Sequence, residues 1–281
     1  MRFGVSMWSV DGDFAAKCRR AEELGYDVIT VPDHLGAPAP FPALVAAAAA
    51  TQRARVGPLV LNAPFYNPAL LARDVESTVA VTGGRFELGL GAGHMKAEFD
   101  DAGLPWWPAK RRIDYLETTL AELRRRLGER MPPVLIAGHS DGVLSLAAGS
   151  ADIVGFAGLK QEPGRAPGTF ELATADELAD RVRYVRENAK RQQEFNMLIQ
   201  KVVVAEEPRP ALDSWHPSYR ADDLLAAPQV LAGTPSRIAG ELDARRTRFG
   251  FTYYTVFEPA MEDFAQVIAE VRRREPSRSP A

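Results

Sequence analysis

Two hydrophobic periods alternate along this chain. Short runs dominated by apolar residues at Arg2 to Ser6, Val28 to Val31, Arg55 to Leu61, Arg85 to Leu90, Pro133 to Ala137, Asp152 to Phe156, Met197 to Ala205 and Phe251 to Phe257 predict strands buried on both faces. Between them the apolar spacing changes to three and four. Phe14, Cys18, Ala21 and Leu24 mark a helix over Asp13 to Leu24 closed by Gly25, and Ile113, Leu116, Leu120 and Leu123 mark another over Arg111 to Leu127. An Ala-rich helix follows the second strand and runs to about Gln52. Asn67-Pro68 and Thr234-Pro235 each set an N-cap before a proline at the first helical position, and the first of these helices runs to about Val81. Thr174 with Glu177 is a capping box opening a helix to about Glu194. A small-residue helix ends near Gly149, and Met261 to Arg274 closes the pattern.

Strand and helix alternating eight times predict an α/β fold, a single (β/α)8 TIM barrel over residues 1–274 with a disordered tail at 275–281. A doubly wound open sheet is the alternative, because alternation alone does not prove closure. Residues 157–173 and 206–228 turn to Gly, Pro and charge, and read as long irregular insertions on the C-terminal face of the barrel.

Composition narrows the classes. With 281 residues, 46% of them hydrophobic, the chain can bury one large core. A formal net charge of -3 argues against general nucleic-acid binding. The single cysteine, Cys18, rules out an internal disulfide and a cysteine-based zinc site, which fits a reducing cytoplasm. No secretory signal pattern opens the sequence, and the longest apolar run, Phe41 to Ala50, is too short for a membrane span.

The chemistry concentrates around the fourth strand. In GGRFELGLGAGHMKAEF, from Gly83 to Phe99, three alternating glycines (Gly89, Gly91, Gly93) end the strand and let another group approach the backbone closely. His94, Lys96, Glu98 and Asp100 then put ionisable groups along one rim. The spacing G-x-G-x-G is not the dinucleotide fingerprint. In a barrel the C-terminal strand ends share one face, which would collect His34, Asn62, His94 and Ser140 there. The four histidines are scattered singly, so no metal site is expected. Gly138-His139-Ser140-Asp141-Gly142 is formally G-x-S-x-G, and Ser140, Asp213 and His216 follow a hydrolase order. That alternative is weak, since acid and base sit three residues apart and no HGGG-type segment precedes them. The same five residues also read as an anion site at a helix N-terminus.

Several segments together, VITVPDHL, RVGPLVLN, the long piece from YNPALLARD to GLPW, and PVLIAGHSDGVLSLAAGSADIVGF, resemble the luciferase-like monooxygenase superfamily. The likeness is strongest to its F420-dependent oxidoreductases of actinobacterial type and extends over nearly the whole chain. It implies hydride transfer between coenzyme F420, a deazaflavin, and a small organic substrate. A flavin mononucleotide (FMN)-dependent monooxygenase is the alternative. The resemblance implies an imidazole beside the redox ring at His34, with His94 as a second catalytic candidate. It implies cofactor contacts at Asp33, at Leu59 and Val60 (a non-proline cis peptide), and at Asn62, Gly91, Ala92 and Gly93. The loop with Gly138, His139, Ser140 and Gly142 would hold the phosphate. Two departures stand out. His94 occupies the position where sugar-phosphate dehydrogenases of the family carry glutamate, and GHSDG lacks an arginine common in close relatives. Trp106, Trp107, Trp215 and Tyr219 are expected to form a lid over the site. Lys96, Lys110, Arg111, Arg112 and Arg165 are expected at the barrel mouth, where the polyglutamate tail of F420 needs positive charge. The expected partner is a small-molecule substrate, without nucleic acid or membrane, and a homodimer is compatible with the fold.

Overall fold

Parallel strands close into a barrel in the computed structural model, which describes residues 1–216 and 218–275. The strands are β1 (Arg2–Ser6), β2 (Val28–Val31), β3 (Arg55–Pro58 continuing as Leu61–Asn62), β4 (Leu88–Gly91), β5 (Val134–Ala137), β6 (Ile153–Phe156), β7 (Glu194–Leu198) and β8 (Phe251–Phe257). The Leu59–Val60 peptide between the two halves of β3 is cis, as the resemblance implied. The first half pairs with β2, Pro58 opposite Val31, and the second pairs with β4, Asn62 opposite Gly91. The two ends of the nine-segment sheet are therefore pieces of one strand, and β1 pairs with β8 on the far side. This closure decides for the (β/α)8 barrel over the open sheet.

Closure is possible because the interior is lined by small groups where strands crowd. A Cβ on Gly89 would fall 2.0 Å from the Pro58 carbonyl oxygen, so only glycine fits there. At the N-terminal end Arg2 pairs with Glu87 and Glu194 and lies 4.6 Å from the Tyr253 ring centroid, while Arg55 Nε bonds Glu87 at 2.7 Å. A cavity of about 700 Å³ opens at this end. Its Arg2, Arg55 and Arg272 are already held by carboxylates, Arg272 by Asp27 at 2.8 Å. The opposite, C-terminal face is left for chemistry.

The barrel helices are α1 (Phe14–Glu23), α2 (Pro40–Ala50), α3 (Pro68–Val81), α4 (Lys96–Asp101), α5 (Ala109–Leu127), α6 (Asp141–Ser150) and α7 (Ala175–Asn188). Asn67 caps α3, its side chain accepting from the N–H groups of Ala69 and Leu70. Thr174 and Glu177 make the predicted capping box on α7. That helix stops at Asn188, short of the predicted Glu194, because Glu194 is already paired with Ile153 in β7. Among the described residues no helix is long and apolar enough to cross a membrane.

The insertions are more ordered than predicted. Residues 157–173 contain an antiparallel hairpin, Leu159–Gln161 with Phe170–Leu172. The predicted strand from Met197 to Ala205 divides at Ile199 and Gln200, and its second part, Lys201–Val204, pairs outside the barrel with Val230–Gly233. Two short helices, α8 (Arg209–Asp213) and α9 (Ala221–Ala226), connect these strands. They form a second small core of Leu212, Leu224 and Val230, with Leu172, Trp215 and Tyr219 packed against it. Buried Gln229 locks the hairpin down by donating from Nε2 to the carbonyls of Gly158 and Ala173, and the Leu172 N–H donates to the Tyr219 hydroxyl at 2.9 Å. The chain then returns through α10 (Pro235–Phe249) and β8 to α11 (Met261–Arg274). Glu275, assigned to the tail, is held by the Met1 amino group and Arg272. The rest of the predicted tail lies outside the described residues.

Candidate active site

β2 ends in Pro32-Asp33-His34, and two contacts fix that end. The Asn62 N–H, from the second half of β3, donates to Asp33 Oδ2 at 2.8 Å, and the Tyr66 hydroxyl bonds the same carboxyl. Burial raises the Asp33 pKa, opposed by these hydrogen bonds and by His34. One residue on, His34 Nδ1 lies 2.7 Å from Glu98 Oε1. Glu98 reaches it from α4, a helix anchored by buried Phe99, whose ring meets Phe65 at 5.0 Å and Trp106 at 4.9 Å. A carboxylate at that distance assigns the proton to Nδ1 and leaves Nε2 to act on a ligand.

Four rings stand in file here. Trp8 stacks on His34 at 5.6 Å and 20°, His34 meets the edge of His94 at 5.3 Å, and Phe170 of the hairpin meets His94 at 5.3 Å. The His94 side chain is exposed to solvent by surface area, although protein atoms crowd around the ring. The protein walls around it, followed by the charges of His34 and Arg112, hold its pKa below that of a free imidazole, to about 4.

The floor beneath is made of small residues. A Cβ on Gly91 would fall 2.7 Å from Val60 Cγ2, and one on Gly93 would fall 2.5 Å from Asn62 Oδ1. Asn62 Oδ1 is buried with no hydrogen-bond partner. Gly93 also has φ +77, so the turn that carries Ala92 and His94 over the floor needs glycine twice over, for space and for conformation. After β5, a Cβ on Gly138 would lie 2.4 Å from Val143 Cγ1, which pins the loop against α6. Ser140 is the N-cap of α6, with no cap bond from its side chain, so its hydroxyl is free for another partner. His139 is held below the usual imidazole range by burial and then by Arg181. Arg181 pairs with Asp141, so a guanidinium from α7 stands beside the loop that lacks its own arginine.

Several expectations need correction. Asp213 accepts from the Ala221 N–H at 3.0 Å and His216 Nδ1 from the Ser218 N–H at 3.2 Å, so both serve the second insertion rather than Ser140. Among the described residues no hydrogen bond joins Ser140 to Asp213 or His216. Trp215 and Tyr219 pack on the second small core. Trp106 and Trp107 instead carry the guanidinium groups of Arg112, at 3.7 Å, and Arg111, at 4.5 Å. Of the five cations assigned to the mouth, Lys96, Lys110 and Arg165 are paired with Asp100, Asp114 and Glu162. Arg111 and Arg112 have no carboxylate partner among the described residues. Trp8 and Phe170, which do flank the histidines, escaped the sequence reading. No cluster of metal-binding side chains is found among the described residues.

The sequence profile of the luciferase-like monooxygenase family matches residues 12–270. Among curated proteins, an F420-dependent glucose-6-phosphate dehydrogenase of Intrasporangium calvum is 35% identical over 117 residues, 38% of this chain and 35% of the relative. A 5,10-methylenetetrahydromethanopterin reductase of Archaeoglobus fulgidus is 34% identical over 98 residues, 34% of this chain and 29% of the relative. The matched stretch thus spans about a third of these relatives. An F420-dependent secondary alcohol dehydrogenase aligns with a TM-score of 0.76 at 17% identity, covering 96% of this chain and 99% of its own. The long-chain alkane monooxygenase LadA aligns with a TM-score of 0.76 at 13% identity, covering 100% and 93%. With the barrel closed and the profile matched over most of its length, the chain belongs to the luciferase-like monooxygenase family.

Proposed function

We propose that this protein is an oxidoreductase that moves a hydride between coenzyme F420 and a small organic substrate. The observation that carries the reading is the His34–Glu98 pair at 2.7 Å, set at the rim of a floor that only small residues can form. The names of the dehydrogenase and reductase relatives support F420 as the cofactor.

The residues present fit such a cofactor. Asn62 Oδ1 is an orphaned buried acceptor for a ring N–H group, and Val60, Gly91, Ala92 and Gly93 leave a flat surface under it. Gly138, His139, Ser140 and Gly142 would hold the phosphate with backbone N–H groups and the free Ser140 hydroxyl. Arg111 and Arg112 are the cations left to meet an acidic tail. When bound, the deazaflavin supplies the hydride donor or acceptor. His34 holds or releases the accompanying proton at Nε2 while Glu98 fixes its ring, and Asp33 ties the strand end to Asn62. His94 stays uncharged at neutral pH and acts as a hydrogen-bonding group rather than a cation.

An FMN-dependent monooxygenase is the second reading, favoured by the likeness of the fold to LadA. To test the first, F420 is mixed with the protein and a panel of small alcohols, ketones and enones while deazaflavin absorbance is followed. The parent protein turns over, and His34→Ala is slower by ~10²–10⁴ with F420 affinity within about tenfold. Equal rates for parent and variant would remove His34 from the chemistry.

A further inference from the structure

We infer that the substrate is uncharged and apolar, and that its body rests on a platform formed by Trp8, Val10 and Leu35. The inference deepens the reading above and rests on it for the place of the chemistry. Five large hydrophobic side chains stand exposed among the described residues, and three of them are Trp8 (44%), Val10 (50%) and Leu35 (46%). They lie on the segments that leave the barrel after β1 and β2, neighbouring strands whose ends are joined by the Met7 N–H to the Thr30 carbonyl at 2.8 Å. An apolar patch left open in this way marks a binding surface.

Trp8 is held in place. Its ring stacks on His34 and meets Phe257 edge-on at 6.1 Å. Trp8 therefore adjoins the proton-handling imidazole, and Leu35 follows His34 directly in the chain. Phe170 closes the other end of the ring file against His94.

Charge argues against an anionic substrate. Lys17, the cation at this rim, is bound by both Asp11 at 3.0 Å and Glu258 at 2.9 Å. Glu98 and Asp33 add acidic groups deeper in the cleft. A phosphate or carboxylate brought to Trp8 would meet these acids with Lys17 already doubly paired, while Arg112, which has no carboxylate partner among the described residues, acts at the other, His94 end of the ring file. A second copy of the chain is the other conceivable occupant, but three side chains fall well short of the ~800 Å² per partner of a stable interface.

The test uses two dyes with the same ring skeleton, neutral N-phenyl-1-naphthylamine and its sulfonated counterpart 8-anilinonaphthalene-1-sulfonate. Each is titrated into the full chain with and without F420, following dye fluorescence. The neutral dye is expected to saturate one site and bind at least about tenfold more tightly than the sulfonate. Trp8→Ala should weaken it about tenfold or more, and Leu35→Ser, which leaves the ring file untouched, by about threefold. Equal or tighter binding of the sulfonate, or a neutral dye indifferent to both substitutions, overturns the proposal. So does a parent dimer, seen by gel filtration, that Trp8→Ala or Leu35→Ser turns into monomer. Failure of F420 to bind would count against the site reading alone, since the titration without cofactor still tests the platform.

Discussion

His34 Nδ1 and Glu98 Oε1 meet at 2.7 Å across 64 residues of sequence, joining the end of β2 to the short helix after β4. That contact selects a tautomer. In the parent protein, nitrogen-detected NMR should find the His34 ring carrying a proton at Nδ1. In Glu98→Leu the ring should move toward the Nε2–H form that free imidazole prefers, with F420 affinity little changed. A tautomer unaffected by the substitution would mean that Glu98 does not orient the imidazole.

A second expectation concerns His94. Its folded pKa, about 4, lies below the ordinary 6.5, so between these values the unfolded chain binds more protons than the folded one. The stability this group contributes is complete above pH 6.5 and is lost as pH falls toward 4. Ring-proton NMR should show one histidine neutral down to about pH 4, and Phe170→Ala, by removing the ring packed against it, should bring its midpoint back up toward 6.5. A parent midpoint already near 6.5 would contradict this.

Gly93 answers to two constraints, its φ of +77 and the 2.5 Å between a Cβ and Asn62 Oδ1. Gly93→Ala should cost ~1–3 kcal/mol in denaturant unfolding and weaken cofactor binding more than Gly83→Ala, where a Cβ meets nothing. Equal loss of affinity from both would separate the floor from the ligand.

Gln229 offers a test of the hairpin. Gln229→Leu removes the side-chain donor to the Ala173 carbonyl and one of the two donors to the Gly158 carbonyl, which should cost ~1–3 kcal/mol and speed hydrogen exchange in Leu159–Gln161 and Phe170–Leu172. Unchanged exchange there would show that the hairpin is held by other contacts.

The barrel was legible because each of its strands carries its own signal. Val28 to Val31 and Phe251 to Phe257 are apolar runs buried on both faces, and their bounds match the structure. Caps at Asn67, Thr174 and Thr234 are local chemistry, and they too were readable. Glu98 was visible only as one charge among several. What sets it apart is the reach of α4 to His34, a tertiary relationship that no local period encodes. Trp8 and Phe170 were missed for the same reason, since each becomes part of the site only when remote strand ends are gathered. The pairing of Lys201–Val204 with Val230–Gly233 was hidden because the first continues the apolar run of β7 and the second is only four residues long.

The cofactor itself is the central claim, and one titration addresses it most directly. F420 and FMN are each added to the purified protein while tryptophan fluorescence is followed at low and high salt. F420 should bind at about micromolar or tighter, weakened as salt screens Arg111 and Arg112, and FMN should bind more poorly by at least about tenfold. Tight, salt-insensitive binding of FMN with no affinity for F420 would contradict that claim.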